Sequence, residues 1–135
     1  RFVKNFPRLP ESVRSRLTLE NDDKASMYSV KDLYYGIYKE IGIPIVFDYH
    51  HHKFCTGGMS EQEALEMALS TWGDIKPVTH YSESRRDEQE DKTIRVQAHS
   101  DYVYDKIEMY GNDFDIMVEA KAKELAVDRY LELHS

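Results

Sequence analysis

Four short apolar runs in this chain each close on a carboxylate or an imidazole, and that repetition constrains the fold more than any other feature. The runs are Arg16-Leu17-Thr18-Leu19-Glu20, Ile43-Pro44-Ile45-Val46-Phe47-Asp48, Lys76-Pro77-Val78-Thr79-His80 and Asp115-Ile116-Met117-Val118-Glu119. Their bodies read as β-strands. Charged side chains are rarely buried without a partner, so the same arrangement four times points to one shared site. Parallel barrels build their active sites at the C-terminal ends of strands. A mixture of carboxylate and imidazole suits hard or borderline divalent cations.

Helical signals separate the runs. Ser29 offers an N-cap, with Asp32 three residues on. Val30, Leu33, Tyr34, Ile37, Tyr38 and Ile41 follow as a helical stripe that Gly42 ends. Ser60 and Glu63 form a capping box ahead of Ala64, Leu65, Ala68, Leu69 and Trp72, and Gly73 closes that helix. Ser82 to Gln97 is polar and reads as an extended loop. A third helix is expected over Asp101 to Tyr110, with Val103, Ile107 and Tyr110 inward, and a last one from Ala122 to about Leu133. The fourth strand is expected to reach Ala120.

The order β-α-β-α-β-α-β-α with short connections predicts an α/β domain spanning residues 1–135, with a parallel sheet and right-handed crossovers. Four such units make half of a TIM (β/α)8 barrel, which needs about 250 residues when complete. A doubly wound four-stranded sheet explains less, because its ligands gather at one switch point. The chain opens on Arg1, and Phe2-Val3-Lys4-Asn5-Phe6-Pro7 reads as the tail of an element already under way, so a piece of a longer protein is expected.

A net charge of −7 counts against generic nucleic-acid binding. Bound divalent ions would offset part of it, so the sign of the bare charge does not decide the substrate. Cys55 is the single cysteine; it excludes an internal disulfide, fits a reducing compartment and carries no expected role. No apolar stretch approaches the roughly 20 residues of a membrane span.

At the second run, Asp48 and His51 lie three apart, where a strand running into a turn aims both at one ion. Glu20, His80 and Glu119 gain weight from the shared pattern, whereas His99 has the weakest support from spacing. Asp22 and Asp23 read as loop and capping residues, and His50 and His52 as poor ligand candidates. Arg85 and Arg86 are either solvated or in contact with phosphate, which a fork-shaped guanidinium fits well.

Leu19-Glu20-Asn21-Asp22-Asp23, Phe47-Asp48-Tyr49-His50-His51-His52, Thr79-His80-Tyr81-Ser82-Glu83, Ala98-His99-Ser100-Asp101-Tyr102 and Val118-Glu119-Ala120-Lys121-Ala122-Lys123 together resemble the signature blocks of the UV damage endonuclease family, in its C-terminal half. The resemblance implies a barrel related to endonuclease IV-type enzymes. It implies a cluster of divalent ions, manganese above all with magnesium or zinc as substitutes, held by Glu20, Asp48, His51, His80, His99 and Glu119. Glu20, Asp48, His80 and Glu119 would be the catalytic core. The reaction would be hydrolysis of the phosphodiester immediately 5′ of a UV photoproduct or other lesion in double-stranded DNA. Two departures stand out. The N-terminal half of the pattern is absent, and the family carries a lysine near the third strand, where here Val78 stands two residues before His80 and Lys76 four before it. That role is not transferred to Lys76.

A sugar isomerase or epimerase on the same barrel would place similar residues at strand tips, but the Asp-Tyr-His-His-His and Glu-Ala-Lys-Ala-Lys blocks favour the nuclease. A third expectation is an inactive fragment. A half barrel leaves two edge strands and an apolar interior uncovered. Alone it should self-associate or require its N-terminal half, bind metal weakly and leave DNA uncut. The implied setting is intracellular: cytoplasmic for a bacterial or viral protein, nuclear for a eukaryotic one.

Overall fold

The four apolar runs become four parallel strands of one sheet, in the order β1-β2-β3-β4. The computed structural model describes all 135 residues, Arg1–Ser135. Two short helices, α1 (Phe2–Asn5) and α2 (Glu11–Arg14), precede β1 (Leu19–Glu20). Helix α3 (Val30–Leu33) runs through a π-helical stretch, Tyr34–Tyr38, into α4 (Lys39–Ile41). Strand β2 (Ile45–Asp48) passes directly into α5 (Tyr49–His52), followed by α6 (Glu61–Leu69). Then come β3 (Val78–Tyr81), α7 (Arg85–Gln89), β4 (Asp115–Val118) and α8 (Glu124–His134). These are the β/α units of half a (β/α)8 barrel.

Register assigns the two faces of the sheet. Glu20 pairs with Val46, Asp48 with His80, and His80 with Met117. Side chains alternate along a strand, so Glu20, Val46, Asp48, Val78, His80 and Met117 share one face. The opposite face carries Ile45, Phe47 and Tyr81, packed with Val30, Leu33, Ala64, Leu65 and Ala68 in the hydrophobic core. The core therefore lies between sheet and helices, and the charged strand tips lie on the other side. That inner face is open at β4, where Met117 is 56% exposed.

Local chemistry fixes the helices. The Ser29 hydroxyl accepts from the Asp32 amide while the Asp32 carboxylate accepts from the Ser29 amide. Gly42 takes the left-handed conformation that ends the helix, at φ 73°. At Gly57 a Cβ would lie 2.5 Å from the Ser29 hydroxyl, so only glycine fits there. The Ser60–Glu63 capping box opens α6. Beyond α6, Thr71 Oγ1 accepts from the Ile45 amide at 2.8 Å and Trp72 Nε1 donates to the Ile45 carbonyl at 2.8 Å, which anchors the start of β2. Ser60→Ala is expected to cost about 1 kcal/mol in urea unfolding, the usual value of an N-cap. An unchanged midpoint would mean that the cap carries no stability.

Three expectations are corrected. Strand β1 holds only Leu19 and Glu20. The Leu19 amide donates to the Pro44 carbonyl, and Pro44 has no N–H to carry the ladder back toward Arg16. The polar stretch after β3 is not a loop throughout: it contains α7 and an antiparallel bridge between Ser84 and His99. The helix expected over Asp101 to Tyr110 does not form. Carboxylates outside the segment take its amides instead: Glu88 accepts from Asp101 and Tyr102, and Glu83 from Tyr104 and Asp105. Val103 and Ile107 are nonetheless buried.

Candidate metal centre

Each strand delivers one group to a common point. Glu20 ends β1, Asp48 ends β2, His80 is the third residue of β3, and Glu119 follows β4 directly. The Glu119 amide donates to the Tyr81 carbonyl at 2.8 Å, which carries the β3–β4 pairing one residue past the strand. One ligand atom from each of Glu20, Asp48, His80 and Glu119 lies within 4.8 Å of all the others. His80 Nδ1 approaches Glu20 Oε1 and Glu119 Oε1 at 3.3 Å each, with no directed hydrogen bond to either.

Asp48 is fully buried. Its Oδ1 accepts from the His51 amide at 2.9 Å and caps α5, while Oδ2 has no hydrogen-bond partner. Asn21 holds the Asp48 backbone from both sides: Oδ1 accepts from the Asp48 amide at 2.8 Å and Nδ2 donates to the Asp48 carbonyl at 3.0 Å. Sequence reasoning gave this residue no role. Its only signal was an amide side chain directly after a strand-end carboxylate.

The Asn21 carbonyl also fixes His51. His51 Nδ1 lies 2.7 Å from that oxygen, which only accepts, so Nδ1 carries the proton. Nε2 is then an open lone pair, 3.6 Å from Asp48 Oδ2. A ring nitrogen fixed by a carbonyl on its far side is the usual support of a metal-binding histidine. His99 stands apart from the four-atom group. It lines a groove with Glu119, and its ring centroid is 6.3 Å from that of His50.

Electrostatics follow from the crowding. Burial, and then the Glu20 carboxylate, push the Asp48 carboxyl up to about 7. For Glu20 burial also acts upward, but contacts with His80 and Asp48 and the charges of His80 and His51 outweigh it and hold the group at about 2. The adjoining Glu20 carboxylate raises the His80 imidazolium above its usual range against the effect of burial. Two unpartnered buried atoms, Asp48 Oδ2 and His80 Nδ1, among oxygen and nitrogen donors at this spacing fit a divalent cation.

The other candidates are engaged elsewhere. Arg85 pairs through Nη1 with Asp101 at 2.6 Å, and Arg86 donates to the Ile94 and Lys92 carbonyls at 2.8 and 2.7 Å, so both guanidinium groups make contacts inside the chain. Lys76 lies at the opposite end of β3, paired with Asp113 and Asp115. His50 is buried, with Nε2 3.1 Å from the Val96 carbonyl. His52 packs against the Phe47 ring, and Cys55 is buried with no role at the site. No helix is long and apolar enough to cross a membrane.

Comparison with known proteins gives one consistent result. The UV-endonuclease UvdE family model matches residues 1–135. The chain is 41% identical to a UV-damage endonuclease of Schizosaccharomyces pombe, over 94% of this chain and 22% of the relative. It is 36% identical to a UV DNA damage endonuclease of Bacillus pumilus, over 98% of this chain and 42% of the relative. A crystal structure of SacUVDE superposes with a TM-score of 0.76 at 33% identity, covering 98% of this chain and 45% of that one. The chain thus spans less than half the length of these relatives. With a family model matched from end to end and a solved relative that superposes over nearly the whole chain, this chain belongs to the UV-endonuclease UvdE family.

Proposed function

We propose that this chain supplies the metal-holding half of a DNA-repair endonuclease that hydrolyses the phosphodiester immediately 5′ of UV photoproducts and other lesions. The observation that carries the reading is the convergence of four donor atoms from four adjacent strand ends, in a chain whose relatives are UV damage endonucleases. Glu20, Asp48, His80 and Glu119 would hold the ions, with His51 joining through Nε2 and His99 from the groove beside Glu119. Divalent manganese is the leading ion, with magnesium or zinc as alternatives. Such ions supply positive charge to the anionic phosphodiester and lower the pKa of water at the site.

The residues themselves hold and orient. Asn21 fixes the Asp48 backbone and, through its carbonyl, the His51 tautomer. The open inner face of the sheet leaves the cluster accessible from the side where β4 ends. Strands β1 and β4 each pair on one side only, so the partners would be the other half of the barrel and damaged double-stranded DNA. Work on DNA would call for an intracellular setting, the cytoplasm for a bacterial or viral protein and the nucleus for a eukaryotic one.

The test joins this chain to the unmatched part of the Bacillus pumilus relative and assays nicking of UV-irradiated duplex with Mn2+. The joined protein should nick 5′ of photoproducts, whereas the 135-residue chain alone binds Mn2+ and leaves DNA uncut. Glu20→Ala, Asp48→Ala and Glu119→Ala should each lower nicking by at least about 100-fold, since lost supporting contacts alone cost that much at metal sites. Equal rates in all three variants would refute the ligand assignment. A joined protein that binds Mn2+ and ignores UV-irradiated DNA would refute the substrate.

A further inference from the structure

Beside the metal cluster runs a groove of about 450 Å³ lined by Arg95, Gln97, Ala98, His99, Glu119, Ala120 and Lys121. Glu119 belongs to both groove and cluster, so whatever occupies the groove lies against the cluster. Arg95 and Lys121 are exposed, and neither makes an ion pair within the chain. Two unpaired cations at one groove in a chain of net charge −7 call for an anionic ligand.

The backbone that carries Arg95 is held in place. The Ile94 carbonyl accepts from Arg86 Nε, the Arg95 carbonyl from the Ala98 amide, and the Val96 carbonyl contacts His50 Nε2. Two of these three consecutive carbonyls are thus bound to other parts of the fold, α7 and α5, and the Arg95 carbonyl closes a local turn. Lys121 is fixed from the other side: its amide donates to the Ser100 carbonyl, and the Ala122 amide to the Asp101 carbonyl. Arg85 ties Asp101 to α7, and the Ser84–His99 bridge ties the same segment to the end of β3. Both cationic side chains therefore project from prearranged main chain, which lowers the ordering cost of binding.

We propose that Arg95 and Lys121 form a phosphate clamp that holds the backbone of one DNA strand along this groove, next to the bond to be cut. The inference rests on the DNA reading above. It assigns to Arg95 and Lys121 the phosphate contact that sequence spacing suggested for Arg85 and Arg86. Arg85 and Arg86 hold the segments that present the clamp.

The test measures binding of the Mn2+-loaded 135-residue chain to a fluorescently labelled, UV-irradiated duplex across a salt series. Each neutralised phosphate contributes a slope of about −0.9 in log K against log salt, so Arg95→Gln and Lys121→Gln should each flatten the slope by about 0.9 and weaken binding about tenfold at 0.1 M salt. Lys4→Gln with Lys31→Gln, exposed on the helical side, serves as the charge control and should change the slope far less. Mn2+ affinity should be the same in every variant. If the wild-type chain binds duplex and both groove variants match it in slope and affinity, the clamp is refuted and the endonuclease reading stands. If the groove variants lose Mn2+ affinity along with DNA, their role is structural and the clamp is refuted. If the wild-type chain shows no salt-dependent affinity for duplex, the clamp is refuted, and the DNA reading is decided separately by nicking with the joined protein.

Discussion

Asp48→Asn should lower Mn2+ affinity by about 100-fold or more while leaving the ion-free chain at least as stable as the parent. The two effects have opposite signs because Asp48 is buried for a purpose other than stability. Its Oδ1 caps α5, and asparagine accepts the same His51 amide equally well. Its Oδ2 has no hydrogen-bond partner, and removing charge from an unsatisfied buried oxygen relieves a cost. The substitution takes an anionic donor from the cluster and spares the fold.

The pH dependence has a definite sign. Burial and the Glu20 carboxylate raise the folded Asp48 carboxyl to about 7 from an ordinary 3.8. Across that window the unfolded chain is ionised and the folded chain keeps its proton, so rising pH works against folding. Glu20 acts at the acid end: held at about 2 instead of 4.5, it contributes stability above 4.5 that is lost as pH falls toward 2. In urea unfolding with chelator, the advantage of Asp48→Asn over the parent should therefore grow between about pH 4 and pH 7 and stay constant above. An advantage that shrinks as pH rises, or unchanged Mn2+ affinity, would contradict the assignment of Asp48 as a buried ligand.

Most of the architecture was legible because strand and helix periods differ and the punctuation was clean. Ser29, Gly42 and Ser60 mark boundaries through local chemistry alone, and β2 is apolar on both faces, as an internal parallel strand should be. The convergence of Glu20, Asp48, His80 and Glu119 was legible for a related reason: parallel register brings the same ends of all four strands together. Asn21 was not, since its work depends on the Asp48 backbone 27 positions away. For Arg85 and Arg86, spacing reveals charge and not the carbonyls and carboxylate that contact it. The Asp101–Tyr110 segment misled for a similar reason, as its apolar spacing suits a helix while its amides find partners elsewhere.

Those partners set the second large effect. Glu88→Ala and Glu83→Ala should each destabilise the chain by about 2 kcal/mol, the scale for hydrogen bonds to a charged acceptor. Glu88 takes the amides of Asp101 and Tyr102 and the Tyr104 hydroxyl at 2.7–2.9 Å. Glu83 takes the amides of Tyr104 and Asp105 and the Tyr81 hydroxyl at 2.7 Å. Hydrogen exchange should locate the loss: amides 101, 102, 104 and 105 should lose protection well before those of β2. Burial acts upward on Glu88, but the donated hydrogen bonds outweigh it and hold the group at about 2. Its contribution is present above the unfolded value of 4.5 and lost as pH falls through about 2, so Glu88→Gln should flatten the acid limb of the stability curve. Since this segment leads from His99 and Ser100 toward β4, its loosening should also weaken duplex binding. Protected amides in the double variant would mean that the buried Val103 and Ile107, and not the two carboxylates, hold the segment in its irregular path.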